Sequence, residues 1–83
     1  MGKHEKLIEK LLSRPNTFLW RDLCLVMQSL GFEIVKGNGS RRKFINNKTG
    51  QFASWHEPHP GKEVKFYVIK EAIELVKEYR NEQ

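Results

Sequence analysis

Apolar residues recur along this chain in two rhythms, and the change between them divides it. In residues 3–13, Leu7, Ile8, Leu11 and Leu12 form one stripe of a short helix. Arg14-Pro15 ends that helix, because a residue before proline is pushed out of the helical region. Asn16 or Thr17 then stands where a cap for a second helix belongs. In that helix Leu19, Leu23, Val26, Met27 and Leu30 repeat at intervals of 3 and 4, and Gly31 is a natural stop. Phe18 and Trp20 are expected to pad its start against the core.

Beyond Gly31 the rhythm becomes two. Phe32 and Ile34 share one face of a first strand, and Gly37-Asn38-Gly39 suits a hairpin turn with positive φ. In a second strand, residues 41–46, Arg42 and Phe44 share one face and Arg41, Lys43 and Ile45 the other. The run from Asn46 to Gly50 makes another turn. A third strand, residues 51–56, sets Phe52, Ser54 and His56 against Ala53 and Trp55. Pro58, Pro60 and Gly61 stop the sheet, and a last helix from Phe66 to about Arg80 buries Ile69, Ala72, Ile73 and Val76. The order is α-α-β-β-β-α. It predicts an α+β fold in which helices cover one face of a three-stranded antiparallel sheet.

At 83 residues the chain has room for one domain and one core. The single cysteine, Cys24, rules out a disulfide framework and a multi-cysteine zinc site. Among apolar helix positions it reads as a small hydrophobe, and it fits a reducing cytoplasm. The longest wholly apolar run, Leu23 to Met27, is too short to span a membrane, and the charged N-terminus has no signal core. A soluble, untargeted protein is expected.

Charge sharpens the picture more than composition does. The net +5 is concentrated between Ile34 and Lys70, where eight cations face only Glu57 and Glu63. Such a basic middle attracts polyanions, nucleic acid first, with affinity that falls as salt rises. Its centre is Gly39-Ser40-Arg41-Arg42-Lys43-Phe44. Small loop residues let backbone N–H groups approach a phosphate, and adjacent Arg forks grip it in two places. Lys36, Lys62 and Lys65 flank this stretch.

Leu30-Gly31-Phe32, then Gly39-Ser40 with Phe44, then His59-Pro60-Gly61-Lys62-Glu63-Val64-Lys65, then the Ile69/Ile73 helix make an ordered set. Over residues 19–78 it resembles the HicA toxin family. The resemblance implies a double-stranded-RNA-binding-like α-β-β-β-α core, residues 17–80 here, with residues 3–13 as an added helix. It also implies an mRNA interferase: a ribosome-independent endoribonuclease held inactive by a partner antitoxin, HicB. In that family the active residue is a histidine at or just after the Gly-Ser. This chain departs there, since Arg41, Arg42 and Lys43 follow Ser40.

Metal-free RNA cleavage needs a base for the 2′-hydroxyl proton, an acid for the leaving oxygen and cations for the charged transition state. Histidine suits the proton transfers, whereas arginine stays protonated and serves only as a clamp. His56 and His59 are the available substitutes. Pairing of strands two and three would set His56 near Arg41. Both histidines are equally open to a packing role, at the strand end and under the proline loop. A His-x-x-His metal pair is a third option that neither a helix nor an obvious third ligand supports, and no metal or cofactor is expected. Three functions follow: an RNA-cleaving toxin neutralised by an antitoxin, a non-catalytic RNA-binding module, or a protein-interaction domain with a basic face.

Overall fold

The computed structural model describes residues 3–59 and 61–81, so Pro60 of the loop lies outside the described residues. The elements are α1 (Lys3–Leu12), α2 (Trp20–Ser29), β1 (Phe32–Lys36), β2 (Arg41–Asn46), β3 (Phe52–His56) and α3 (Phe66–Asn81). The strands form one antiparallel meander in the order β1-β2-β3. This is the α+β architecture that the two rhythms predict. Among the described residues no helix is long and apolar enough to cross a membrane.

Strand alternation decides which side chains enter the core. Phe32, Phe44 and Trp55 point to one face and are buried, with Ile34 and Ala53 partly covered beside them. Leu23, Val26 and Met27 of α2 and Val68, Ile69, Ala72, Ile73 and Val76 supply the other wall. Phe44 sits at the centre, its ring 4.9 Å from Trp55 and 5.6 Å, edge to face, from Trp20. The opposite face stays open, leaving Val35 and Phe52 exposed. Helix α1 packs on α2 and α3 and adds Ile8 and Leu11 to the core.

The start of α2 differs from expectation. Neither Asn16 nor Thr17 caps it; the N-cap is Leu19, extended at φ −73° and ψ 140°, with no side-chain cap. A backbone bridge takes over that task. Leu19 pairs with Glu63, the Trp20 N–H donates to the Lys62 carbonyl at 2.8 Å, and the Val64 N–H donates to the Phe18 carbonyl at 2.9 Å. A main-chain acceptor brought from the loop after β3 satisfies the orphan donor, so a local cap is unnecessary. The bridge also ties that loop to the helix start.

The other end of α2 stops as the sequence predicts, on Gly31 at φ 97°, a left-handed value that suits glycine. Asn46 secures this corner. Fully buried, it donates to the Leu30 carbonyl at 3.1 Å and accepts from the Lys48 and Thr49 N–H groups at 3.0 and 3.2 Å. Within the β1–β2 turn it is Gly39 that goes left-handed, at φ 58°.

A candidate active cleft and nucleic-acid interface

Antiparallel pairing makes Arg41 and His56 partners across β2 and β3. One step earlier, the Glu57 N–H donates to the Ser40 carbonyl at 2.8 Å and extends the ladder past both strand ends. This brings the Ser40 hydroxyl within hydrogen-bond distance of the His56 ring, with Oγ and Nδ1 3.0 Å apart. When Nδ1–H donates to the hydroxyl, Nε2 keeps its lone pair; when the hydroxyl donates, Nε2 carries the proton. Either way the ring is oriented by a partner in the turn that leads into the neighbouring strand. Sequence reasoning anticipated the approach of His56 to the start of β2 but not this hydrogen bond. Counting back from the turn at residues 46–50 would have found it.

His56 opens onto a cleft of about 440 Å³ whose lining includes Ser40, His59, Glu63, Lys65 and Tyr67. Both candidate histidines therefore share one concavity with one lysine. Lys65 sits just before α3, and its carbonyl accepts from the Val68 N–H at 3.0 Å. Tyr67, in the first turn of α3, is half exposed. Glu57 and Glu63 are the carboxylates that oppose an anion here, the former paired with Arg42. Among the described residues no three His, Cys, Asp or Glu side chains gather as a metal ion would require.

The three consecutive cations separate. Arg41 and Lys43 are exposed on the open face that also carries His56. Arg42 points the other way, beside Phe44, and is spent within the fold. Its guanidinium donates to the Gly39 and Arg41 carbonyls at 3.0 and 2.9 Å and pairs with Glu57 at 3.0 Å. It thus braces the Gly39–Ser40 turn and the strand end after His56. Cys24 of α2 lies near this pair. Its thiol is pushed up to about 11, by burial first and then by the Glu57 carboxylate, against a lowering from Arg42. It stays protonated at neutral pH and is a poor nucleophile.

The remaining cations are more dispersed. Gly39, Ser40 and Arg42 border a shallow hollow with Pro58 and His59, next to the His56 cleft. Lys62 lines a separate groove with Trp20 and Arg21. Lys36 ends β1 opposite Arg42, two strands away from His56. Of the aromatic residues near the basic stretch, Trp55 is buried, with its indole N–H donating to Glu71 at 2.8 Å. Tyr67 and Phe66 remain exposed.

A family model described as HicA toxin of bacterial toxin-antitoxin matches residues 20–77. That is more than half of the chain, and it includes α2, the three strands and α3 as far as residue 77. No curated protein and no solved structure matches the chain.

Proposed function

The chain belongs to the HicA toxin family, and from that premise we propose that it is a metal-independent endoribonuclease acting on single-stranded mRNA. The observation that carries the reading is the Ser40–His56 hydrogen bond at the mouth of a cleft shared with His59 and Lys65. His56 stands in for the histidine that this chain lacks after Gly39-Ser40. It reaches the same turn from the neighbouring strand.

In the proposed step His56 Nε2 takes the proton of a ribose 2′-hydroxyl. The O2′–P bond forms as the P–O5′ bond breaks, and His59 returns a proton to the departing 5′ oxygen. The products are a 2′,3′-cyclic phosphate and a 5′-hydroxyl end. Lys65 holds the phosphate as charge builds on its oxygens. Arg41 and Lys43 guide the flanking backbone across the open sheet face. Tyr67 offers a flat surface to an unstacked base beside the scissile bond. Gly39 borders this path, Lys36 and Lys62 lie off it on the Arg42 side of the sheet and in the groove with Trp20, and Arg42 acts indirectly by bracing the turn that carries Ser40. An antitoxin protein of the HicB kind, covering the basic face, would neutralise the enzyme.

The same exposed cations also support a second reading, RNA binding without chemistry. The two readings part at Ser40. Ser40→Ala should lower the cleavage rate about tenfold to a hundredfold and leave RNA affinity nearly unchanged, since the hydroxyl orients a proton carrier. End-group analysis should find cyclic phosphates on the fragments. An unchanged rate, or 3′-hydroxyl ends, would remove His56 from the proposed role.

A further inference from the structure

The sheet has two open edges, and they are guarded differently. β1 carries Glu33 and Lys36, the kind of charges that discourage a further strand from pairing. β3 reads Phe52-Ala53-Ser54-Trp55-His56, with no carboxylate, lysine, proline or glycine. Hydrogen bonds beyond the two ends of the β2–β3 ladder fix its phase. The Asn46 N–H donates to the Gln51 carbonyl at 2.9 Å and the Glu57 N–H to the Ser40 carbonyl at 2.8 Å. Because antiparallel ladders alternate, Ala53 and Trp55 turn their backbone groups toward β2. Phe52, Ser54 and His56 turn theirs outward.

Alongside this edge, between β3 and α3, runs a groove of about 460 Å³ lined by Phe52, Ala53, Lys70, Leu75, Glu71, Glu74 and Glu78. Phe52 is 57% exposed at its rim. The three glutamates share one helix face at spacings that repel. Among the described residues none of them has a cation within 4.0 Å, although Glu71 accepts from Trp55 and Glu78 from Gln51. An edge free of such charges thus stands beside three glutamates of α3, with Lys70 the one cation lining the groove among the described residues and Arg41 and Lys43 one strand away on the open face.

We propose that the β3 edge is a docking site for an extended, basic segment of a partner protein, added as a fourth antiparallel strand. Its backbone would pair with the outward groups of Phe52, Ser54 and His56. Alternate side chains would reach Phe52 on one face and the glutamates of α3 on the other. A second copy of this chain fits less well, because two-fold pairing through β3 would lay α3 beside its own image, glutamates against glutamates. The edge meets the cleft at His56, whose side chain lines the cleft while its backbone faces outward, and the test does not read cleavage.

The test is an amide-resolved NMR titration of the full chain with capped heptapeptides that alternate lysine or glutamate with valine. The lysine peptide should shift Phe52, Ser54, His56 and the Glu71–Glu78 turn at millimolar concentration, and the glutamate peptide should not. Ser54→Pro removes an outward N–H without touching the β2 ladder, and Glu74→Lys reverses the wall. Each should weaken the lysine peptide about tenfold or more. A lysine peptide N-methylated at alternate residues should fail as well, whatever the variants do. Shifts scattered over the surface, equal binding of the methylated peptide, or a dimer in sedimentation that Ser54→Pro dissolves would each overturn the proposal.

Discussion

Asn46 is buried without exposure, and three backbone groups depend on its side chain. Truncation to alanine leaves the Leu30 carbonyl and two N–H groups without their partner at the corner where α2 meets the sheet. Asn46→Ala should therefore cost about 2–4 kcal/mol in a denaturant titration. A loss below about 1 kcal/mol would mean water replaces all three bonds. The same scale shows why Arg42 and its neighbours differ. Three cations in sequence invite one phosphate clamp, yet the pleat turns the middle one inward, where Glu57 and two carbonyls claim it. Strand period alone predicted that Arg42 faces away from Arg41 and Lys43. What was not legible was that its partner would be Glu57, since that contact needs the register of β3 on β2.

Among the elements, the strands and helices were readable because their apolar spacing is regular and Gly31 and Pro15 punctuate it. The cap of α2 was not. Asn16 and Thr17 are good capping residues, but long-range pairing of residues 18–20 with 62–64 offered the helix start a main-chain acceptor instead. No local signal reports such a partner. The candidate site divides in the same way. His56 near the start of β2 followed from counting across the turn, whereas the gathering of Lys65 and Tyr67 with it depends on where the bridged loop delivers α3. Helix α1 lies outside the family match yet buries Leu11 completely. If it is an integral layer, Leu11→Ala should destabilise the whole chain by about 2–5 kcal/mol in one cooperative transition. A separate early transition with the rest unchanged would make α1 an appendage.

Over the whole molecule, charge and shape divide the work. Arg41 and Lys43 stand on the open sheet face, and Glu71, Glu74 and Glu78 line the groove between β3 and α3. If Arg41 and Lys43 touch RNA phosphates, replacing both by alanine should flatten the salt dependence of RNA binding by about 1.4 in the slope of log K against log salt, about 0.7 per contact on a single strand. Arg42→Ala should act through stability instead. An unchanged slope in the double variant would move the RNA path off the open face.

In the proposed cleavage a proton carrier on β3 replaces the histidine absent after Gly39-Ser40. The most direct measurement of this is cleavage of a long single-stranded RNA with chelator present, comparing the native chain with His56→Ala and with His56→Ala/His59→Ala. Fragments are expected from the native protein, a rate about 10²–10⁴-fold lower from His56→Ala, and none above background from the double variant, with RNA still bound. Fragments from the double variant at the native rate would contradict it, and so would RNA that the native protein binds and leaves intact.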